Sequence, residues 1–173
     1  LKDKLIPSVP IYVDSPLATN ITDLFKYHLD FLNEKTRQAF QRGDNPFELL
    51  NLRFIREQKE SKALNTDKRP MIIIAGSGMC ESGRMLHHLQ NNIEDSRNMI
   101  LVVGYMAQDT LGRRIVEKTP FVKIFGVEYE LNAEAVVINA FSGHADQIEL
   151  LDFVSGCLPL KGIFLVHGEL EQS

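Results

Sequence analysis

The sequence predicts an α/β fold built on a Rossmann-like, mostly parallel sheet. Short β-branched or apolar runs alternate with longer helical patterns, and the runs tend to end in Asp, Ser or Gly. Met71 to Ala75 passes through the turn Gly76-Ser77-Gly78-Met79 into a helical pattern and then a further apolar run, which is a strand, glycine turn, helix, strand unit. The composition suits this: 173 residues, 44% hydrophobic and 24% charged, enough to bury a core without disulfides and too apolar for wholesale disorder.

Taken in order, Ile11-Tyr12-Val13 reads as the first strand, and Asp14-Ser15-Pro16 ends it. Leu17, Ile21, Leu24, Phe25, His28 and Leu32 then recur at helical spacing, predicting one amphipathic helix to about Gln41, with His28 at the edge of the core. Phe47 to Ile55 holds a second apolar run, Arg56 to Arg69 is polar, and extended chain resumes after Pro70. Met71 to Ala75 reads as a buried parallel strand, with Met85, Leu86, Leu89 and Ile93 on one side of the following helix. Met99 to Val103 predicts a strand, Leu111 and Ile115 a short helix, and Phe121 to Leu131 an antiparallel hairpin turning at Gly126. Ala135 to Ile138 predicts another strand, and Asp146 with Glu149 a capping box opening a helix closed by Gly156 and Pro159. A last apolar run, Ile163 to Val166, precedes His167-Gly168-Glu169. No internal repeat is present, and both ends read as cut through structure.

The net charge of -4 and a pI of about 5.7 exclude a global positive field, so a polyanion must be bound locally. Residues 51–70 carry six basic side chains against three acidic ones, whereas residues 128–152 carry six acidic and none basic; each reads first as a solvated face. Cys80 and Cys157 match no metal or redox spacing, which suits a reducing, cytoplasmic setting. No apolar run is long enough to span a membrane, so no membrane partner is expected.

Several groups stand where chemistry is placed in α/β folds. The backbone N–H groups of Gly76, Ser77, Gly78 and Met79, between a strand and a helix, can cradle a phosphate. The dinucleotide fingerprint fails there, because Glu81 occupies its third glycine position. His144 and His167 follow strand ends, but two histidines cannot complete a catalytic metal site, so any further ligands lie elsewhere. His87 and His88 point about 100° apart on a helix and cannot chelate together. Asp14 reads either as a cap or as part of the cleft.

The segments IYVDSPLA (11–18), IAGSGM (74–79) with Ser82-Gly83-Arg84, FSGHAD (141–146) and LVHGE (165–169) together resemble the carboxyl-terminal half of metallo-β-lactamase-fold ribonucleases of the β-CASP family. The resemblance implies a β-CASP lobe over residues 1–133, followed over 134–173 by the returning part of a metallo-β-lactamase lobe. It implies that His144 is the motif B histidine beside the scissile phosphate, helping proton transfer to the leaving oxygen, and that His167 is the motif C histidine, a zinc ligand. A histidine at motif C points to the RNA branch, since DNA-repair members carry valine there. The parent protein would then hold two zinc ions and hydrolyse single-stranded RNA. Its H-x-H-x-D-H motif and motif A acid would stand upstream of Leu1, leaving the chain alone inactive and at most a weak holder of one zinc ion. Gly76 to Met79 and Ser142-Gly143 would grip neighbouring phosphates, with Arg84 as an extra clamp and Asp14 and Ser15 in the cleft. A non-catalytic RNA-binding or scaffold homologue and a Rossmann-like nucleotide-binding domain remain as alternatives, and a homo-oligomer is left open.

Overall fold

The computed structural model describes residues 7–43, 45, 47–141, 144–157, 159–164 and 166. It is an α/β protein whose sheets pair mainly in parallel. β1 (Ile11–Asp14) lies between β2 (Leu52–Phe54) and β3 (Ile72–Ala75), parallel to both. Tyr12 sits opposite Arg53 on one side and Ile73 on the other.

Ser15 caps α1 (Pro16–Tyr27) by accepting the Ala18 N–H at 3.3 Å, and Pro16 fits the first turn because its missing N–H would have no helical partner there. The single long helix expected after β1 is in fact two. His28 ends α1, exposed rather than at the core edge, and Asn33 starts α2 (Glu34–Gln41) by accepting from the Thr36 N–H at 2.9 Å. A strong side-chain cap inside an apolar periodicity therefore breaks the helix where the periodicity alone carries it through. The polar stretch after β2 also forms a helix, α3 (Gln58–Thr66), started by the Glu60 side chain accepting the Glu57 N–H at 3.2 Å. Its inner face is short: only Ser61 and Leu64 are buried.

β3 leads through residues 76–82 into α4 (Gly83–Asn92), and β4 (Met99–Val102) follows. β3 and β4 are not neighbours in one sheet, as the strand, turn, helix, strand pattern implied. β4 pairs in parallel with β7 (Glu134–Val137) in a separate two-stranded sheet. Nor is β3 buried on both faces: Ile72 and Ile74 are 39% and 52% exposed, because the helices pack against one side of the strand only. Between β4 and β7 lie α5 (Leu111–Val116) and the antiparallel hairpin of β5 (Phe121–Ile124) and β6 (Val127–Glu130). Its turn residues, Phe125 and Gly126, have φ of +52° and +79°. Positive φ at both central positions matches the strand twist, but at Phe125 the Cβ makes it costly, by about 1–2 kcal/mol.

The main core joins Leu89 of α4, Ile93 at its C-terminal cap, Val102, Leu111, Ile115 and the inward pair Val122 and Ile124. A smaller one gathers Tyr12, Ile55 and Leu64. Residues 1–140 form one compact unit and 141–173 another. In the second, α6 (Gln147–Gly156) begins with the expected capping box: Asp146 accepts the Glu149 N–H at 2.9 Å, and Glu149 accepts the Asp146 N–H at 3.0 Å. Residues 163, 164 and 166 carry no strand pairing among the described residues. No described helix is long and apolar enough to cross a membrane.

Candidate functional site

The carboxyl ends of β1 and β3 bring Asp14, Ser15 and the Gly76 turn together, with Asp14 opposite Ala75 in the register. Asp14 is wholly enclosed, which answers the choice between cap and cleft with neither. Its Oδ2 accepts from Ser61 Oγ at 2.6 Å and from His88 Nε2 at 2.6 Å, and its Oδ1 from the Arg84 guanidinium. Burial alone would raise its pKa. The hydrogen bonds from Ser61, His88 and Arg84, with the positive charge of Arg84, outweigh that and hold the carboxyl below its usual range.

The same donors tie the sheet to its helices. Ser61 and Asn65 stand four residues apart on α3, as Arg84 and His88 do on α4, so each pair shares one helix face. Asn65 Oδ1 completes the set 2.7 Å from His88 Nδ1. Arg84 reaches further, donating to the Ile55 carbonyl at 3.1 Å and the Arg56 carbonyl at 2.9 Å. Its guanidinium is thus turned inward onto protein acceptors, not outward as the expected phosphate clamp. Asp14, likewise, has no surface to offer RNA. Although Ser, His and Asp meet here, Ser61 bonds the carboxylate and not the imidazole, so no hydroxyl is activated and the group serves as a scaffold.

The Gly76 turn rests on that scaffold. Ser15 Oγ lies against Gly76, 3.8 Å from where a Cβ would stand, and its hydroxyl is occupied as the α1 cap. The turn is tied internally and to α4 and α5. The Gly76 carbonyl accepts from Met85 N at 3.3 Å, in the first turn of α4, and the Ser77 carbonyl accepts from Cys80 N at 3.2 Å. Ser77 Oγ accepts from Glu81 N at 3.2 Å, and the Met79 carbonyl from Gly112 N at 3.0 Å. Glu81, the residue that broke the dinucleotide fingerprint, has its Oε1 on the Leu111 N–H at the start of α5. α4 starts at Gly83, and Gly76 presents its carbonyl to that helix. The N–H groups of Gly76, Ser77, Gly78 and Met79 make no bond to another described residue, whereas those of Cys80 and Glu81 are bonded within the turn.

His144 is exposed, two residues before the Asp146 cap of α6. Ser142, Gly143 and His167 lie outside the described residues. Among the described residues no group of three or more His, Cys, Asp or Glu side chains could hold a metal ion. Burial pushes the Cys80 thiol up to about 11, with the Glu81 charge adding to the shift, which leaves it inert; Cys157 is free and exposed.

Sequence reasoning missed Ser61 and His88 as partners of Asp14 and Asn65 as the partner of His88. The readable signal was the spacing of four within each polar pair, beside an acidic strand end.

Comparison with known proteins bears on both units. The Beta-Casp domain family matches residues 1–115, and the family described as the Zn-dependent metallo-hydrolase RNA specificity domain matches residues 128–173. The chain is 41% identical over 167 residues to Ribonuclease TTHA0252 of Thermus thermophilus, covering 96% of this chain and 38% of that protein. It is 30% identical over 176 residues to Transcription termination factor FttA of Methanosarcina mazei, covering 98% and 28% respectively. An RNase J-like protein of Methanocaldococcus jannaschii is 29% identical over 165 residues, with 95% and 37% covered. The chain thus spans less than two fifths of the length of these relatives.

Proposed function

The chain belongs to the β-CASP family of metallo-β-lactamase-fold proteins, and from that premise we propose that it is part of a zinc-dependent nuclease that hydrolyses phosphodiester bonds of single-stranded RNA. The observation that carries the reading is the match of residues 128–173 to an RNA specificity domain of Zn-dependent metallo-hydrolases, a segment that holds both His144 and His167. The likeness to a ribonuclease of Thermus thermophilus supports it. The proposed lobes are 1–133 and 134–173.

In this proposal the N–H groups of Gly76, Ser77, Gly78 and Met79 grip a phosphate of the RNA. Ser142-Gly143 grips a neighbouring phosphate. His144, exposed to solvent and so open to a polyanion, gives a proton to the leaving oxygen. His167 ligates one of two zinc ions, whose chemistry is to polarise the phosphoryl oxygen and supply hydroxide at neutral pH. The remaining ligands belong to the rest of the protein, so the 173 residues alone should not cleave RNA. Two free cysteines, one of them exposed, fit a cytoplasmic setting.

The test uses the full-length protein, with elemental analysis beside single-turnover cleavage of a short RNA. His144→Ala should leave zinc near wild type while the rate falls by about 10²- to 10⁴-fold. His167→Ala should lower metal content and rate together. Equal zinc loss in both variants would refute the assignment of His144 as a proton donor. RNA binding by wild type without cleavage would favour the scaffold reading.

A further inference from the structure

A cleft of about 350 Å³ lies beside the Gly76 turn, between α4, α5 and the β5–β6 hairpin, and plays no part in the function proposed so far. Its wall carries two cations from different elements, Arg114 on α5 and Lys123 on β5. Neither has an ion pair or a side-chain hydrogen bond among the described residues, whereas the neighbouring Arg113 is paired with Glu117 at 2.6 Å. Lys123 points away from the core because Val122 and Ile124, on either side of it in the strand, point in.

The hairpin turn adds an aromatic face. Phe125 is 54% exposed, and its ring lies 4.9 Å from that of His87 at an interplanar angle of 37°. The two rings are tilted and not stacked, so Phe125 keeps an exposed face on which a base can stack. The backbone is held for this: Phe125 sits at φ +52°, where a bulky side chain is disfavoured and where Asn or Gly would serve the turn better. An unfavourable residue at a turn tip, aimed into a cleft with two free cations, is the kind of strain that accompanies a binding role.

The wall also holds two acids, Glu81 and Asp109, beside the two cations. Glu81 has its Oε1 on the Leu111 N–H, and Asp109 stands exposed at the edge, able to accept N–H groups of a base. Glu81 also links the cleft to the phosphate turn, since its own N–H is on Ser77 Oγ at 3.2 Å.

We infer that this cleft is a second RNA contact, taking one nucleotide of a single strand whose neighbouring phosphates pass the Gly76 turn: the base stacks on Phe125, and Arg114 and Lys123 hold its phosphate. The inference rests on the RNA reading above and adds to it a site away from His144 and His167. Two cations set on one phosphate, with a stacking ring and a carboxylate at the rim, suit a splayed nucleotide better than a duplex, whose bases are already stacked on each other.

The experiment measures binding of a phosphorothioate-substituted ten-nucleotide single-stranded RNA to the full-length protein by fluorescence anisotropy over a range of salt. Arg114→Gln/Lys123→Gln should weaken binding on the order of tenfold and reduce the slope of log K against log salt by about 1.4, the share of two charges on a single strand. Phe125→Gly, which suits the turn and so keeps the hairpin, should weaken binding on the order of tenfold with the slope unchanged, while Phe125→Tyr retains affinity. Thermal melting confirms that the variants are folded. Wild-type binding with neither variant altered would overturn the contact and leave the RNA reading standing, whereas a wild type that binds no RNA would overturn that reading. Equal affinity for a 5′-nucleoside monophosphate would make the cleft a small-molecule site, and equal use of the cleft by duplex RNA would remove the single-strand assignment.

Discussion

Replacing Asp14 by alanine removes the acceptor for three donors at once and leaves the Arg84 charge, at 18% side-chain exposure, without its carboxylate. Breaking a buried ion pair from one side costs about 3–5 kcal/mol. Arg84 keeps two carbonyl acceptors and some water, which places Asp14→Ala near the lower end, about 3 kcal/mol. Asp14→Asn keeps the shape and one acceptor but loses the charge, and should cost about 1.5–3 kcal/mol, the worth of a hydrogen bond to a charged group. Removing the stranded charge as well, in Asp14→Ala/Arg84→Met, should return part of the loss, with a coupling of about 1–3 kcal/mol. Urea denaturation followed by circular dichroism measures all three. A loss below about 1 kcal/mol in Asp14→Ala, or strict additivity in the double variant, would refute the scaffold role. Because Asp14 is closed to solvent, any activity lost in Asp14→Asn should follow the loss of folded protein and return on cooling. A cold, fully folded Asp14→Asn protein with a slow chemical step would mean that the carboxylate reaches the substrate after all.

The same carboxyl gives a pH dependence. Its native pKa is lowered, so its contribution to stability is present above the unfolded value of about 3.9 and is lost as pH falls from there through the native value. Acid titration of the melting temperature should therefore show a shallower fall in Asp14→Asn than in wild type. Gly112→Ala should destabilise by about 1–3 kcal/mol, since its Cβ would meet Met106 Sδ at 2.3 Å and the Met79 carbonyl at 3.0 Å; differential scanning calorimetry checks it, and an unchanged melting temperature would contradict the packing. Glu81→Ala should cost about 1–2 kcal/mol by leaving the Leu111 N–H without an acceptor, and Glu81→Gln less, as read by urea midpoints. Inorganic phosphate titrated against the protein should shift the Ser77 and Gly78 amide resonances more than those of Cys80 and Glu81, whose N–H groups are already bonded within the turn.

The sequence carried the order of elements well where turn chemistry and apolar pattern agree. The capping box at Asp146, the hairpin at Gly126 and the strand ends at Asp14 and Ala75 are local features, and local features are visible in a string of residues. It failed where the two signals conflict. Leu24, His28 and Leu32 keep a helical spacing across a real break, and only the Asn33 cap, four residues from Arg37 in the wrong phase for that stripe, marks the new start. α3 has only a short inner face, because it buries one leucine, Leu64, in the small core with Tyr12 and one serine, Ser61, that meets a carboxylate. A continuous run such as Met71 to Ala75 reads as covered on both faces, yet coverage of the second face is supplied by other elements, and no residue of the run reports whether they are there.

The polar residues at the strand ends pose the deeper difficulty. In a parallel sheet the carboxyl edge collects both the groups that face a ligand and the groups that hold the loops which face it, so position at that edge selects the two kinds equally. What separates them is the number of partners the protein itself provides. Asp14 meets three donors and is wholly enclosed, and Arg84 meets three acceptors with three of its five N–H groups, which turns most of the capacity of each inside the fold. Ser77 and Gly78 retain backbone donors, and Arg114 and Lys123 retain charges, without such partners among the described residues. A counted surplus of bonding capacity, rather than place in the motif, is thus the physical mark of a group left for a ligand; under the proposed RNA reading it extends the binding surface from the glycine turn toward the hairpin, while the conspicuous acid and arginine of the motifs belong to its foundation.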